Sequence, residues 1–151
     1  MGYYTRVEGE IVISPPLTRQ EMEAVGIYPN GQYSPDRWIA TVQRYGRETE
    51  MDVAVRVNVA EQANDELSLT KTITGVALVT AWDDEYKGYY IEEDLRTLVN
   101  TFPDHEFTGE LRMEGEDNLD VWKLQIHNGH EVVACYPKLV WPDGSEETYQ
   151  R

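Results

Sequence analysis

The feature that most constrains the fold is a strict alternation of apolar and other residues over residues 51–60. The apolar set is Met51, Val53, Val55, Val57 and Val59, and it alternates with Asp52, Ala54, Arg56, Asn58 and Ala60. Successive side chains of a β-strand point to opposite faces of the sheet, so this period of two predicts a strand with one buried face. A polar turn around Asn64 follows, and then a second apolar run over residues 69–81. We expect the two strands to pair as a hairpin that is kinked or bulged at Gly75.

Two segments carry signals for helices. The first helix is predicted to begin at Thr18, because Glu21 can complete a capping box with it, and Gly26 should end it. The second helix is amphipathic, and Pro103 marks its end. Its apolar positions recur with the helical period at Ile91, Leu95, Leu98, Val99 and Phe102. We expect this apolar side to pack against a sheet.

The remaining signals complete an α+β order. Residues 3–13 have the pattern of a strand before the first helix. Apolar alternation after the second helix predicts three strands within residues 107–141, and Asn128 followed by Gly129 is typical of a tight hairpin turn. The order is β-α-β-β-α-β with an added C-terminal β-hairpin. It predicts a ferredoxin-like α+β fold, in which a mostly antiparallel sheet has its helices on one face.

The chain is expected to form a single acidic domain over residues 1–151. A chain of this length buries about two-thirds of its unfolded surface, which is enough for one unassisted core. In that core, one set of strand residues should lie on the sheet face that the second helix covers. The set is Phe107, Leu111, Trp122, Leu124 and Ile126. Residues 27–50 give mixed signals, and we expect an inserted loop or a short helix there.

The charge of the chain is strongly negative and uneven. Asp and Glu number 28 against 13 Lys and Arg, for a formal net charge of −15. Residues 76–151 hold 17 acidic and 6 basic residues, so −11 of that charge lies in the C-terminal half. Such a surface repels nucleic acid and anionic lipid, and it favours a basic protein partner, a cation or solubility alone. We therefore expect neither a nucleic acid nor a membrane as partner.

The cysteine count and the hydropathy bear on the compartment. Cys135 is the only cysteine, and it lies in an apolar run where burial is expected. No intrachain disulfide is possible, so a reducing compartment fits best. No segment approaches the ~20 apolar residues of a membrane span. These features predict a soluble cytoplasmic protein.

One acidic cluster has the ligand type that hard cations prefer. It consists of Glu114, Glu116, Asp117 and Asp120. The spacing does not match the twelve-residue calcium loop, so we expect a solvated turn whose carboxylates cap backbone amides, and no metal site. The three histidines lack ligand spacing, and no glycine motif for phosphate is present. No catalytic residue and no cofactor site are predicted.

The segment before the second helix combines aromatic and acidic side chains. Its members are Trp82, Asp83, Asp84, Glu85, Tyr86, Tyr89 and Tyr90. Tyr and Trp are frequent anchors at protein interfaces, and acidic groups attract a basic surface. We expect this segment to bind a protein partner.

The chain opens with Met-Gly-Tyr-Tyr-Thr-Arg-Val-Glu-Gly-Glu-Ile-Val-Ile-Ser-Pro-Pro-Leu. Its second half contains Phe102-Pro103, Phe107-Thr108-Gly109, Glu114-Gly115-Glu116-Asp117, Asp120-Val121-Trp122 and Val140-Trp141-Pro142. Outside residues 27–50, these stretches resemble a family of small uncharacterised proteins of actinobacteria and their phages. A weaker similarity relates the chain to a ferredoxin-like domain of small phage and plasmid proteins. The resemblance implies an origin, a fold and a class of role, and no activity comes with it.

Together these features predict a non-enzymatic, phage-type accessory protein in the cytoplasm of a bacterial host. It would bind a host protein with a basic surface and modulate or inhibit it, with mimicry of nucleic acid as one version. The alternative is a small-ligand-binding protein, or an enzyme that depends on carboxylates or a divalent ion, using residues 110–120. Acidic groups converging in a pocket would favour the alternative, and acidic groups spread over a convex face would favour the binding protein. The partner and the oligomeric state stay open.

Overall fold

Antiparallel strands dominate this computed structural model, which describes residues 5–30, 34–42, 47–63, 67–81 and 90–148. The strands are β1 (Thr5–Thr18), β2 (Ile27–Asn30), β3 (Ser34–Val42), β4 (Arg47–Ala63), β5 (Leu67–Thr80), β6 (Glu106–Gly115), β7 (Val121–His127), β8 (Glu131–Cys135), β9 (Lys138–Val140) and β10 (Glu146–Thr148). In these residues one sheet holds eight strands in the order β2-β3-β4-β5-β1-β6-β7-β8, and β9 pairs with β10 separately. The helices are α1 (Arg19–Ala24) and α2 (Ile91–Thr101). No helix in the described part of the chain is long and apolar enough to cross a membrane.

The ferredoxin-like α+β prediction is wrong. That fold needs two full helices on one face of a small sheet, whereas here the sheet runs through eight strands and α1 has only 6 residues. The error lies mainly in residues 27–50, whose described part forms β2, β3 and the start of β4 instead of a loop or a short helix. Ile27 and Trp38 are buried there. Pro29 fits a strand because β2 is at the edge of the sheet, where proline is tolerated.

The core lies between α2 and the inner face of the sheet. The helix approaches both β4 and β8, which are separated by four strands in the sheet order, so the sheet curves around it. The predicted apolar side of α2 and the predicted inward residues of β6 and β7 are buried in one cluster, which confirms the strand parity. The members are Ile91, Leu95, Leu98, Val99, Phe102, Phe107, Leu111, Trp122 and Leu124. Ile126 packs against the cluster and is half-buried.

Helix α1 begins as predicted. Thr18 Oγ1 accepts a hydrogen bond from the Glu21 backbone N at 3.1 Å, and the Thr18 backbone N donates to Glu21 Oε1 at 3.1 Å. This capping box satisfies two backbone amides at the start of the helix. Met22 is completely buried, so burial as well as capping holds this short helix on the sheet.

The predicted pairing of β4 with β5 is confirmed, from Met51 opposite Thr80 to Ala63 opposite Leu67. The register shifts between Ala54 and Val55, and Val55 lies opposite Gly75, so the predicted bulge is confirmed as well. The burial of β4 differs from expectation. Met51, Val53 and Val55 are buried, whereas Val57 and Val59 are 43% and 61% exposed. The alternation therefore predicts the strand correctly, but it does not predict how far along the strand the apolar side chains are buried.

Candidate functional site

Most of the segment predicted to bind a partner lies outside the described residues. These positions are Trp82, Asp83, Asp84, Glu85, Tyr86 and Tyr89. Tyr90 is described, and it is 41% exposed immediately before α2. Its backbone N donates to Glu50 Oε2 at 3.0 Å. Tyr90 is thus accessible at the surface, and a role for the other six residues stays a prediction.

The predicted acidic cluster is an open turn between β6 and β7. Glu116 and Asp117 are exposed, and Glu114 lies at the exposed end of β6. Backbone hydrogen bonds close the turn, because the Gly115 N donates to the Asp120 carbonyl at 2.7 Å and the Asp120 N donates to the Asp117 carbonyl at 3.2 Å. Within the described ranges, no group of three or more His, Cys, Asp or Glu side chains is placed to hold a metal ion.

A larger acidic surface lies on the outward sides of β1 and β6. Side chains at even positions of both strands point away from the core and are exposed. We call acidic face the five carboxylates of this surface: Glu8, Glu10, Glu106, Glu110 and Glu114. Two guanidinium groups share it, since Arg112 lies opposite Glu8 and Arg6 lies opposite Glu114. The acidic face therefore keeps an excess of negative charge.

Two like charges meet at the centre of the acidic face. Glu10 lies directly opposite Glu110 on the neighbouring strand. Lys123 Nζ lies 3.2 Å from Glu110 Oε2, whereas Glu10 forms no ion pair with any described residue. Like charges opposite one another destabilise a sheet. The carboxylate of Glu10 is therefore available to a cation from another molecule.

Two glycines allow the close approach of β1 to β6 that places Glu10 beside Glu110. Gly9 and Gly109 have φ angles of +109° and +129°. A Cβ on Gly9 would overlap the carbonyl oxygen of Glu110, and a Cβ on Gly109 would overlap the carbonyl oxygen of Glu10. Only glycine permits both this backbone conformation and this close approach of β1 to β6. The need for glycine at these two positions becomes evident only from the pairing of β1 with β6.

His105 is a buried ionisable residue whose role the sequence analysis missed. It is 5% exposed, and its Nδ1 lies 2.6 Å from the Pro15 carbonyl oxygen while its Nε2 lies 2.6 Å from Glu21 Oε2. A carbonyl and a carboxylate can only accept, so both ring nitrogens donate when the imidazole is protonated. Burial lowers the pKa of His105, but the hydrogen bonds to Pro15 and Glu21 outweigh it and raise the pKa above its usual value.

The same contact changes the pKa of Glu21. Partial burial raises that pKa, but hydrogen bonds from Thr18 and His105 outweigh burial and lower it. The capping box pointed to Glu21 in the sequence, whereas no local signal connects it to a histidine 84 positions away. Both ring nitrogens are occupied, so this pair joins α1, β1 and the segment before β6 and offers no ligand position.

A hollow of about 310 Å³ lies beside β7 and β8. Its walls include Trp122, Lys123, Cys135 and Tyr136. Cys135 is half-buried, so the burial expected for it is only partial. Its Sγ donates to Gln125 Oε1 at 3.1 Å, which engages the thiol in the protein itself.

Comparison with known proteins gives a family and no annotated relative. No curated protein and no solved structure matches the chain. A family model matches residues 1–150, and the match includes residues 27–50, which the resemblance in the sequence did not cover. A match over nearly the whole chain places the protein in DUF6205, a family of unknown function.

Proposed function

We propose that this protein is a non-enzymatic accessory protein that binds a basic surface of a host protein and modulates or blocks that protein. The observation that carries the proposal is the acidic face, with Glu10 and Glu110 side by side at its centre. The resemblance of the sequence to proteins of actinobacteria and their phages supports a phage-type role in the cytoplasm of a bacterial host.

Binding begins with electrostatic attraction. A net charge of −15 raises the rate at which a basic protein reaches the surface. An arginine of the partner then bridges Glu10 and Glu110, because a planar guanidinium can donate to two carboxylates at once. The bridge removes a repulsion that the unbound protein carries, and this relief contributes to the affinity.

Other groups would complete the contact. Val12 is 43% exposed on the same side of β1 as Glu10, so it offers apolar area beside the carboxylates. The segment from Trp82 to Tyr90 supplies the predicted aromatic anchors. A partner that binds nucleic acid would be blocked by this surface, because carboxylates and phosphates attract the same cationic side chains.

The test compares an acidic-face variant with a charge-matched control. The wild-type chain first captures a partner from a lysate of a bacterial host, and surface plasmon resonance then measures binding of the purified pair. Glu10→Gln with Glu110→Gln should slow association and weaken binding, and association should also slow as salt rises. The control, Asp36→Asn with Glu93→Gln, removes the same charge from exposed positions of β3 and α2 and should have a much smaller effect.

A partner whose association ignored both salt and the acidic-face variant would refute the proposal. A control variant that weakened binding as strongly as the acidic-face variant would also count against it, because the effect would then come from net charge and not from this surface.

A further inference from the structure

The imidazole of His105 contacts two acceptors at once, and this arrangement requires a proton on each ring nitrogen. Nδ1 lies 2.6 Å from the Pro15 carbonyl oxygen, and Nε2 lies 2.6 Å from Glu21 Oε2. Neither oxygen has a hydrogen to donate while Glu21 is ionised. A neutral imidazole has only one N–H, so it can satisfy only one of the two acceptors. Loss of one proton therefore breaks one contact and leaves a nitrogen lone pair facing an oxygen.

The charged groups that act on the ring both favour its proton. They are Glu21 of α1 and Asp104, which precedes His105 in the sequence. From β1 the ring meets the neutral Pro15 carbonyl, and the Phe102 ring after α2 meets it edge-on, with 6.2 Å between the ring centroids. Burial lowers the pKa of His105, but the two hydrogen bonds and the two carboxylates raise it above its usual value. The proton is therefore lost only above pH 6.5.

The contact with Pro15 joins two parts of the chain that are held in place by strand pairing. Pro15 follows Ser14, and His105 precedes Glu106, which lies opposite Ser14 in the β1–β6 ladder. The His105 backbone N also donates to the Phe102 carbonyl at 3.2 Å. Pro15 and His105 therefore cannot move apart unless this end of the ladder opens.

Helix α1 is less firmly held. It has only 6 residues, and an isolated helix shorter than about 12 residues is marginal in water. Its capping box, the buried side chain of Met22 and the contact between Glu21 and His105 hold it on the sheet. One carboxylate serves both the cap and the histidine, because Glu21 Oε1 accepts from the Thr18 backbone N while Oε2 faces His105. Repulsion at Oε2 therefore acts directly on the start of the helix.

We propose that His105 is a pH-sensitive switch, whose proton holds α1 on the sheet and whose deprotonation releases α1 by local opening. The neutral ring keeps its N–H on Nδ1, donated to Pro15, and presents the lone pair of Nε2 to Glu21. Two acceptors at this distance repel each other, so Glu21 moves away and α1 moves with it. The closed state binds the proton more tightly than the open state, so opening becomes more favourable as pH rises.

The opening uncovers an apolar position on the sheet. Met22 is completely buried, and its Sδ would lie 2.9 Å from a Cβ added to Gly75 of β5. The side chain of Met22 therefore fills the space that the missing side chain of Gly75 leaves. Release of α1 removes Met22 from this space and admits water to it.

Hydrogen–deuterium exchange of the whole chain, followed by mass spectrometry, measures this opening. The amides of residues 21–26 should lose protection by roughly tenfold or more between about pH 6 and about pH 9, after correction for the intrinsic effect of pH on exchange. This is the effect of losing one hydrogen bond to a charged group. Low concentrations of urea should change the protection of residues 21–26 much less than that of α2, because a local opening exposes little surface.

Glu21→Gln should reverse the pH dependence. The glutamine carbonyl can still accept from the Thr18 backbone N, while its NH₂ group donates to the lone pair of a neutral His105 Nε2. Protection of residues 21–26 in this variant should rise as pH rises. The matched control is His127→Gln, which replaces an exposed histidine of β7 and should keep the wild-type fall in protection. Circular dichroism of each variant checks that it folds.

Nitrogen NMR of the histidine rings in the wild-type protein follows the proton itself. His105 should carry a proton on both nitrogens at low pH and on Nδ1 alone at high pH. A neutral His105 that keeps its proton on Nε2 would overturn the proposal, because the contact with Glu21 would then survive. Three exchange results would also overturn it: protection of residues 21–26 that stays constant with pH, protection that falls equally in Glu21→Gln, and a urea dependence as steep as that of α2.

Discussion

The His105 imidazole contacts two acceptors from distant parts of the chain, the Pro15 carbonyl and the Glu21 carboxylate. The pKa of His105 is raised above 6.5, so its contribution to stability is complete below about pH 6.5 and is lost as pH rises through the raised pKa. The pKa of Glu21 is lowered below 4.5, so its contribution is complete above pH 4.5 and is lost as pH falls through the lowered pKa. The pair therefore stabilises the fold most between pH 4.5 and 6.5.

Glu21→Gln tests this pH dependence. Glutamine can still serve in the capping box, but it removes the charge that faces His105. The difference in melting temperature between wild type and variant should be largest between pH 4.5 and 6.5 and should shrink on both sides. Glu23→Gln, at an exposed position of the same helix, should show no such maximum. A difference that stayed constant with pH would argue against an ion pair.

Gly109→Ala should destabilise the protein by about 3 kcal/mol or more, because the residue has a positive φ and its Cβ would overlap a backbone carbonyl. Gly144→Ala is the control, since Gly144 has a φ of +88° but no atom within 4 Å of an added Cβ. Gly144→Ala should lower the free energy of unfolding only by the backbone strain, about 1 kcal/mol. Urea denaturation measures both. Equal losses would mean that β1 and β6 can separate to accept a side chain.

Among the elements, α2 depends on the start of β4 for its position. The Glu50 backbone N donates to Asp94 Oδ2 at 2.8 Å, and the Glu50 carboxylate accepts from the Tyr90 backbone N at 3.0 Å. Asp94 is 1% exposed, so a polar residue is buried at the beginning of an otherwise apolar interface. These two bonds fix where the helix begins over the sheet.

Trp122 of β7 belongs to the buried cluster that also contains the apolar side of α2. Trp122→Ala should cost about 3 to 5 kcal/mol through lost burial and the cavity that remains. Trp141→Ala is the matched control, because Trp141 is 46% exposed whereas Trp122 is 8% exposed. The control should change stability by no more than about 0.5 kcal/mol. Chemical denaturation of both variants checks this, and a mild effect at Trp122 would contradict the described core.

Charge repulsion acts on the whole molecule. A net charge of −15 on 151 residues opposes the compact state, and salt screens that repulsion. The melting temperature should therefore rise between ~10 mM and ~150 mM salt. Differential scanning calorimetry measures the rise. The melting temperature of the Glu10→Gln with Glu110→Gln variant should rise less over the same salt range. A melting temperature that falls as salt rises would contradict self-repulsion as the main effect of charge on stability.

Local signals in the sequence predict most of the elements. The capping box at Thr18, the apolar side of α2 and the bulge at Gly75 depend on neighbouring residues, and all three are confirmed. The tight turn is confirmed too, since Asn128 and Gly129 have φ angles of +55° and +80°. The acidity of the surface follows from composition alone. These properties depend on residues that are close in the sequence or on summed composition, so the sequence alone is sufficient to predict them.

The properties that the sequence did not predict depend on pairing between distant segments of the chain. The sequence by itself determined that β4 has one apolar face, but only the tertiary structure decided where the cover of that face ends, after Val55. Only the antiparallel pairing of β1 with β6 placed Glu10 opposite Glu110, and only the path of the chain brought His105 to Glu21. Alternation reports which side chains share a face. It carries no information about what covers that face, because the covering residues come from elsewhere in the chain or from another molecule.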